Sequence, residues 1–165
     1  MGLVSFLKTA GEKLFGHKPE VAAAAAEPSN AEKAAAANTA ASEAIRGYIR
    51  TQNLPADDLT ITFDGATQIV TVGGLVQDRA TQEKIVLCCG NVQGVAGVAD
   101  EMQCAEPADE CTYHTVVSGD NLSKISKEVY GDANKYMVIF EANKPMLSHP
   151  DKIYPGQVLR CPPLA

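Results

Sequence analysis

The apolar residues between positions 39 and 105 follow first a helical spacing and then a strand spacing. Apolar residues recur at intervals of three and four before the run ends at Asn53, namely Ala44, Ile45, Tyr48 and Ile49, which predicts a helix. Residues 59–63 and 69–72 alternate between apolar and polar on either side of a turn at Asp64-Gly65, and they predict a β-hairpin. A second helical run over 81–89 and a strand over 95–102 complete the order helix, strand, strand, helix, strand.

A different order is predicted after residue 112. Residues 113–117 read as a strand, and Asp120 can cap the helix that follows, which ends at Gly131 and has a buried side made of Leu122, Ile125 and Val129. Asp132 or Asn134 can cap a further helix, in which one face holds Tyr136, Ile139 and Phe140. Pro155-Gly156 then turns the chain into a last strand over 157–161. The predicted order is strand, helix, helix, strand.

The first 38 residues carry a different pattern. Over residues 1–16 the apolar positions share one helical face, which predicts an amphipathic helix with the side chains of Leu3, Phe6, Leu7, Ala10 and Leu14 along it. Residues 17–38 are rich in alanine and lack large apolar side chains, as in a linker. We therefore predict an α+β protein with two small domains, 39–105 and 113–165, joined by a short acidic linker at 106–112, with the N-terminal helix packed on the first domain.

Length, charge and hydropathy exclude several classes of function. With 165 residues and a formal net charge of −6, the chain has neither the size of a large enzyme nor a basic face for nucleic acid. Its longest apolar run, residues 21–26, is too short for a transmembrane helix. The N-terminus has no charged region leading into an apolar one, so we expect no secretory signal and a cytoplasmic location. We also expect a monomer.

The five cysteines and three histidines suggest no catalytic or zinc site. No CxxC or HExxH spacing occurs, and no nucleophile can be placed beside a histidine and an acid, so we predict a protein that is not an enzyme. Cys111 and Cys161 stand at the ends of two strands predicted to pair, where a disulfide is conceivable. In a reducing cytoplasm we nevertheless predict free thiols.

The segment YHTVVSGDNLSKISKEVYGDANKYMVIFEANKPML, followed by IYPGQVLRCP, resembles a LysM domain. The resemblance covers residues 113–162 and implies a two-stranded antiparallel sheet with two helices on one side. In members that bind polymers of N-acetylglucosamine, the groove lies between the loop after the first strand and the loop after the second helix. The matching residues here are Gly119, Asp120, Asn121, Leu122, Asn143 and Pro145. The alternative is that Asp120 only caps a helix and that Leu122 is only a core residue.

Residues 40–105, with ITFDGATQIVTVGGLV and NVQGVAGVADEMQ around a helix, resemble a BON domain. The whole chain, apart from its alanine-rich linker, resembles the bacterial potassium-binding proteins that combine a BON domain with a C-terminal LysM domain. That resemblance implies K⁺ as the ligand. By matching positions, it implies a site in which the backbone carbonyls of Leu7, Ala10 and Glu12 face those of Gly90, Val92 and Val95.

The chemistry of K⁺ agrees with a site of this kind. K⁺ is selected by neutral carbonyls that replace its hydration shell, whereas carboxylate clusters suit Ca²⁺ or Mg²⁺. Carbonyls are free to converge where regular hydrogen bonding lapses, as at Gly11 in the first predicted helix and in the glycine-bearing segment 90–97. The alternatives are that these segments only cover the sheet and turn the chain, or that the protein is a cell-envelope module that binds a peptidoglycan-type or chitin-type glycan.

Overall fold

The structure, a computed structural model, describes residues 2–5, 31–92, 94–106 and 111–164. It is an α+β fold, as predicted. Its elements in chain order are β1 (Gly2–Ser5), α1 (Ala31–Thr51), β2 (Asp57–Asp64), β3 (Ile69–Asp78), α2 (Arg79–Gly90), β4 (Gly97–Asp100), β5 (Gln103–Glu106), β6 (Thr112–Thr115), α3 (Leu122–Tyr130), a 3₁₀ turn (Ala133–Lys135), α4 (Tyr136–Ala142) and β7 (Val158–Cys161).

The larger sheet has the strand order β1-β4-β3-β2, and β5 pairs with the second half of β3. The predicted hairpin is present as the antiparallel pair β2 and β3. Its turn is closed by the Gln68 amide, which donates to the carbonyl of Asp64 at 2.7 Å. β4 runs parallel to β3, with Gly97 opposite Ile69. This pairing places the segment before β4 at the same end of the sheet as the hairpin turn.

The predicted helix over residues 1–16 is wrong for Gly2–Ser5, which form strand β1 instead. β1 pairs antiparallel with β4, and Ser5 lies opposite Gly97. Without β1, one edge of β4 would expose a row of backbone groups that need partners. Sheet pairing therefore overrides a helical spacing that is short enough to be ambiguous. The rest of the predicted helix lies outside the described residues.

Two further boundaries differ from the prediction. α1 begins at Ala31, so the last residues assigned to the linker are helical. The strand predicted over 95–102 is shorter in the structure, with β4 over Gly97–Asp100, and an unpredicted strand, β5, follows it after a division at Glu101 and Met102. Both strands are parallel to β3. The division has a local cause, because the Asp100 side chain accepts the Met102 amide at 3.0 Å while the Glu101 amide donates to the carbonyl of Val72 at 2.8 Å.

The smaller sheet consists of β6 and β7 in antiparallel register. Helix α4 packs on β7, and α3 packs on α4. Gly131 ends α3 in a left-handed conformation, as predicted. Asp132 accepts the Asn134 amide at 2.9 Å and so caps the 3₁₀ turn, whereas α4, the helix that Asp132 or Asn134 was predicted to cap, follows Lys135 without a side-chain cap. The predicted cap of α3 is wrong by one residue. Asn121, not Asp120, accepts the Lys124 amide, at 2.9 Å.

The two cysteines considered for a disulfide have different surroundings. Cys161 lies in β7 opposite Thr112, whereas Cys111 precedes β6 and its sulfur accepts a hydrogen bond from Nη2 of Arg160 at 2.9 Å. Cys111, like the other four cysteines, is a free thiol.

Candidate functional site

At the C-terminal end of helix α2 the last backbone carbonyls have no further turn of helix to bond to. Its C-terminal end is fixed by the Asn91 amide, which donates to the carbonyl of Leu87 at 2.9 Å. No basic residue lies in the last turn. The C-terminus of a helix carries a partial negative charge, which a cation can neutralise. The end of α2 is therefore an electrostatically favourable place for a cation.

The three residues in this region that were predicted as ligands are brought together in one turn, residues 90–97, here called the α2–β4 turn. Gly90, Val92 and Val95 are all buried. The Val92 carbonyl accepts the Val95 amide at 3.2 Å and keeps a second lone pair. Within the described part of the chain, no donor reaches the carbonyls of Gly90 and Val95. A positive φ of 92° at Gly94 lets the turn double back.

The other three predicted ligands, Leu7, Ala10 and Glu12, lie outside the described residues. The strand that precedes them, β1, runs toward the α2–β4 turn and ends with Ser5 opposite Gly97.

Asn91 fixes the turn to the smaller sheet, and sequence reasoning did not single it out. Its side-chain oxygen accepts the Val158 amide at 3.0 Å, and its side-chain nitrogen donates to the Val158 carbonyl at 3.0 Å and to the sulfur of Met146 at 3.4 Å. Asn91 is 2% exposed. The sequence signal was an asparagine directly after the glycine that ends a helix, which is also what an ordinary helix cap looks like.

A buried ion pair forms a second link between the two sheets. Glu83 of α2 accepts two hydrogen bonds from Arg160 of β7, from Nε at 2.9 Å and from Nη2 at 2.7 Å. Both side chains are less than a tenth exposed, at 6% and 7%. The other oxygen of Glu83 accepts the Cys111 amide at 3.0 Å, and Nη1 of Arg160 donates to the carbonyl of Ala142 at 3.1 Å. The pair is therefore hydrogen-bonded on both sides.

The thiol of Cys111 completes this junction. Nη2 of Arg160 donates to its sulfur at 2.9 Å. Burial, followed by the neighbouring Glu83, raises the pKa of Cys111 to about 12. The thiol is therefore protonated at neutral pH and is not a reactive nucleophile.

The six residues predicted to line a glycan groove do not come together as one set. Asn143 is 1% exposed, and its side chain pairs with the backbone of Arg160, accepting the amide and donating to the carbonyl at 2.9 Å each. Leu122 is a core residue at 2% exposure. Gly119, Asn121 and Pro145 are exposed.

Asp120 stabilises the turn before α3. Its carboxylate accepts the Val117 amide and contacts Nε2 of His114, each at 3.1 Å. The hydrogen bond from Val117, followed by that from His114, lowers the pKa of Asp120. Its carboxylate is therefore used within the turn.

A cleft of about 470 Å³ lies on the same domain, between the start of α3 and the loop before β7. It is lined by Asn121, Leu122, Ser123, Tyr136, Pro150 and Asp151. The two loops predicted to flank the groove thus face each other, but only Asn121 and Leu122 of the predicted set line it. Tyr136 and Asp151, which the sequence reasoning missed, supply an aromatic surface and an acceptor.

Two features are absent from the described part of the chain, a cluster of metal-ligating side chains and a membrane-spanning helix. No group of three or more His, Cys, Asp or Glu side chains there could hold a metal ion. None of the described helices is long and apolar enough to cross a membrane.

Comparison with known proteins gives one family match and two relatives. Residues 114–162 match the LysM domain. The potassium binding protein Kbp of Escherichia coli O6:H1 (strain CFT073) is 44% identical over 163 residues, which are 98% of this chain and 99% of that protein. An uncharacterized protein of Deinococcus radiodurans is 35% identical over 130 residues, 72% of this chain and 49% of its own.

The Glu83–Arg160 pair predicts a large effect of a small substitution. Glu83→Gln leaves the buried Arg160 charge without its partner, and we expect it to lower the free energy of unfolding by about 3 kcal/mol. Glu43→Gln is the matched control, because Glu43 pairs with Arg46 at 2.9 Å on the exposed face of α1, and its expected cost is about 0.5 kcal/mol or less. Urea unfolding measures both, and equal losses would contradict a special role for the buried pair.

Proposed function

The chain belongs to the family of the potassium binding protein Kbp, and from that premise we propose that it is a potassium-ion-binding protein without catalytic activity. K⁺ is held by backbone carbonyls between the N-terminal segment and the α2–β4 turn. The ligands are the carbonyls of Leu7, Ala10, Glu12, Gly90, Val92 and Val95. The observation that carries the proposal is the buried turn at the end of α2, where the carbonyls of Gly90 and Val95 have no donor among the described residues.

The electrostatics of this turn favour a monovalent cation of low charge density. The partial charge at the end of a helix is about half an elementary charge, which suits a singly charged ion. Carbonyl dipoles replace the loosely held water of K⁺ at low cost, whereas a divalent ion demands carboxylates. The buried Val92 and Val95 keep bulk water away from the carbonyls, which strengthens their interaction with an ion.

The direction of β1 supports a contribution from the N-terminal segment. Because Ser5 lies opposite Gly97, only one residue separates the end of β1 from Leu7, and one separates Gly97 from Val95. The antiparallel pairing thus leads both segments to the same end of the sheet. An ion bound there would tie residues 7–12 to the turn.

We also propose that residues 39–105 form a BON domain. Ion binding alters the contact between this domain and the LysM domain. The order of α1, β2, β3, α2 and β4 supports the first point. The junction through Asn91 and Glu83 supports the second. A cytoplasmic location is supported by five unpaired cysteines, four of them buried.

The first prediction from this proposal concerns ion-dependent stability. If K⁺ binds only the folded state, the free energy of unfolding rises by RT ln(1 + [K⁺]/Kd), about 2.7 kcal/mol at a hundredfold excess over Kd. NaCl at the same ionic strength is expected to give much less, because Na⁺ holds its water more tightly. Deleting residues 1–12 should remove the K⁺ effect.

The control for this experiment is Glu12→Gln, which changes a side chain and leaves the backbone carbonyl in place. It should retain most of the K⁺-dependent stabilisation. Denaturant unfolding of each variant in KCl and in NaCl, with calorimetric titration of the folded protein, gives the comparison. Stabilisation that survives the deletion, or that Glu12→Gln abolishes, would contradict the carbonyl site.

A glycan containing N-acetylglucosamine is a second candidate ligand, favoured by the LysM cleft. Tyr136 offers an aromatic surface for a sugar ring, and Asn121 and Asp151 offer polar groups beside it. In a cytoplasmic protein we expect at most weak affinity.

The test of the glycan is a calorimetric titration of the full chain with N-acetylglucosamine oligomers. We expect a Kd weaker than about 1 mM, a binding free energy smaller than about 4 kcal/mol. Tyr136→Ala should then leave the heat of titration with the oligomers unchanged. Micromolar binding that Tyr136→Ala weakens would favour the envelope glycan-binding function.

A further inference from the structure

Asn91 occupies a position in the chain that no proposed ligand role explains. It lies between Gly90 and Val92, two of the residues proposed to bind the ion, yet its side chain points away from the turn. The side-chain amide pairs in both directions with the backbone of Val158, at 3.0 Å for each hydrogen bond. Two residues of neighbouring antiparallel strands exchange the same two hydrogen bonds, N–H to C=O in each direction. Here the side-chain amide of Asn91, at the end of α2, takes the place of the second strand.

The conformation of Asn91 determines where the carbonyl before it, that of Gly90, points. Its φ of −82° and ψ of 11° lie in a sparsely populated region of backbone space. The Asn91 amide donates to Leu87, and peptide planarity then directs the Gly90 carbonyl the opposite way, beyond the end of α2. The ψ angle of Asn91 orients the next peptide, from which the chain continues into Val92. Holding Asn91 therefore orients the Gly90 carbonyl and sets the start of the chain segment that carries the Val92 carbonyl.

We propose that Asn91 is a positioning residue for K⁺, through which the LysM domain's last strand presets the α2–β4 turn for the ion. The inference rests on the proposed function. Asn91 itself contributes no ligand atom. Val158 and Met146 hold its side chain, so a turn that is attached to β7 presents its carbonyls without the entropy cost of ordering them when the ion arrives.

The chain contains a matched control for this proposal. Asn143 makes the same reciprocal pair of hydrogen bonds to the backbone of Arg160, at 2.9 Å each. Arg160 lies two residues after Val158, and its backbone groups face the same edge of β7. Asn143 is equally buried but belongs to the LysM domain, and among the described residues its side chain is hydrogen-bonded to Ile139 and Arg160 and not to the α2–β4 turn. Removing either asparagine side chain deletes two hydrogen bonds to β7, and only one of them adjoins the proposed ion site.

The experiment compares full-length wild type, Asn91→Ala and Asn143→Ala by calorimetric titration with KCl and by unfolding with and without K⁺. We expect Asn91→Ala to raise the Kd for K⁺ about tenfold and Asn143→Ala to change it less than twofold. The destabilisation by Asn91→Ala should be greater in KCl than in NaCl. A purely structural asparagine lowers stability equally in both salts.

The outcomes separate the two proposals. If the wild type binds no K⁺, the proposed function fails and the role of Asn91 fails with it. If wild type and Asn143→Ala bind K⁺ and Asn91→Ala binds equally well, only the positioning role is overturned. Should Asn91→Ala not fold, Asn91→Ser, whose shorter side chain cannot reach both groups of Val158, should give an intermediate Kd, and a wild-type Kd would overturn the inference.

Discussion

The outer edge of β7 is the feature on which the arrangement of this protein depends. In a two-stranded sheet, β7 pairs with β6 on one side only, and the other side needs partners for its backbone groups. Two asparagine side chains supply them, Asn143 from the LysM domain itself and Asn91 from the end of α2. Because Asn91 comes from the helix that packs on the larger sheet, satisfying this edge also determines how the two sheets meet.

The buried ion pair adds specificity to the same contact. Burying Glu83 and Arg160 costs desolvation energy that their mutual attraction offsets only when every remaining group is bonded. The Cys111 amide and the Ala142 carbonyl provide those bonds. An alternative docking of the two sheets would leave a charge or a strand edge unpaired, so the junction favours one arrangement. The proposed ion site lies at the C-terminal end of α2, the helix that carries Glu83.

The sequence predicted the elements whose signals are local. Spacing and turn chemistry predicted α1, the hairpin around Asp64-Gly65 and the end of α3 at Gly131, because the causes of these features lie within a few residues. β1 was missed, because its pairing with β4 joins segments that are far apart in the chain. The cap at Asn121 was misplaced by one residue, since Asp120 and Asn121 are equally good caps in isolation.

The candidate site divides in the same way. Gly90, Val92 and Val95 could be placed by resemblance and by the glycines that interrupt regular hydrogen bonding. The contacts of Asn91 and Asn143 with β7 could not be predicted from the sequence, which pointed for Asn143 to a glycan groove, because their partners are backbone groups. Backbone partners leave no trace in residue identity. Residues that connect distant segments through main-chain atoms therefore become visible only in three dimensions.

The location of the ion is the central claim, and anomalous diffraction from crystals grown with Rb⁺ or Tl⁺ in place of K⁺ tests it most directly. We predict one strong anomalous peak beyond the C-terminal end of α2, in contact with the carbonyl oxygens of Gly90, Val92 and Val95 and with those of the N-terminal segment. A peak bound instead by carboxylates, such as that of Asp100, or one in the LysM cleft beside Tyr136, would contradict the account.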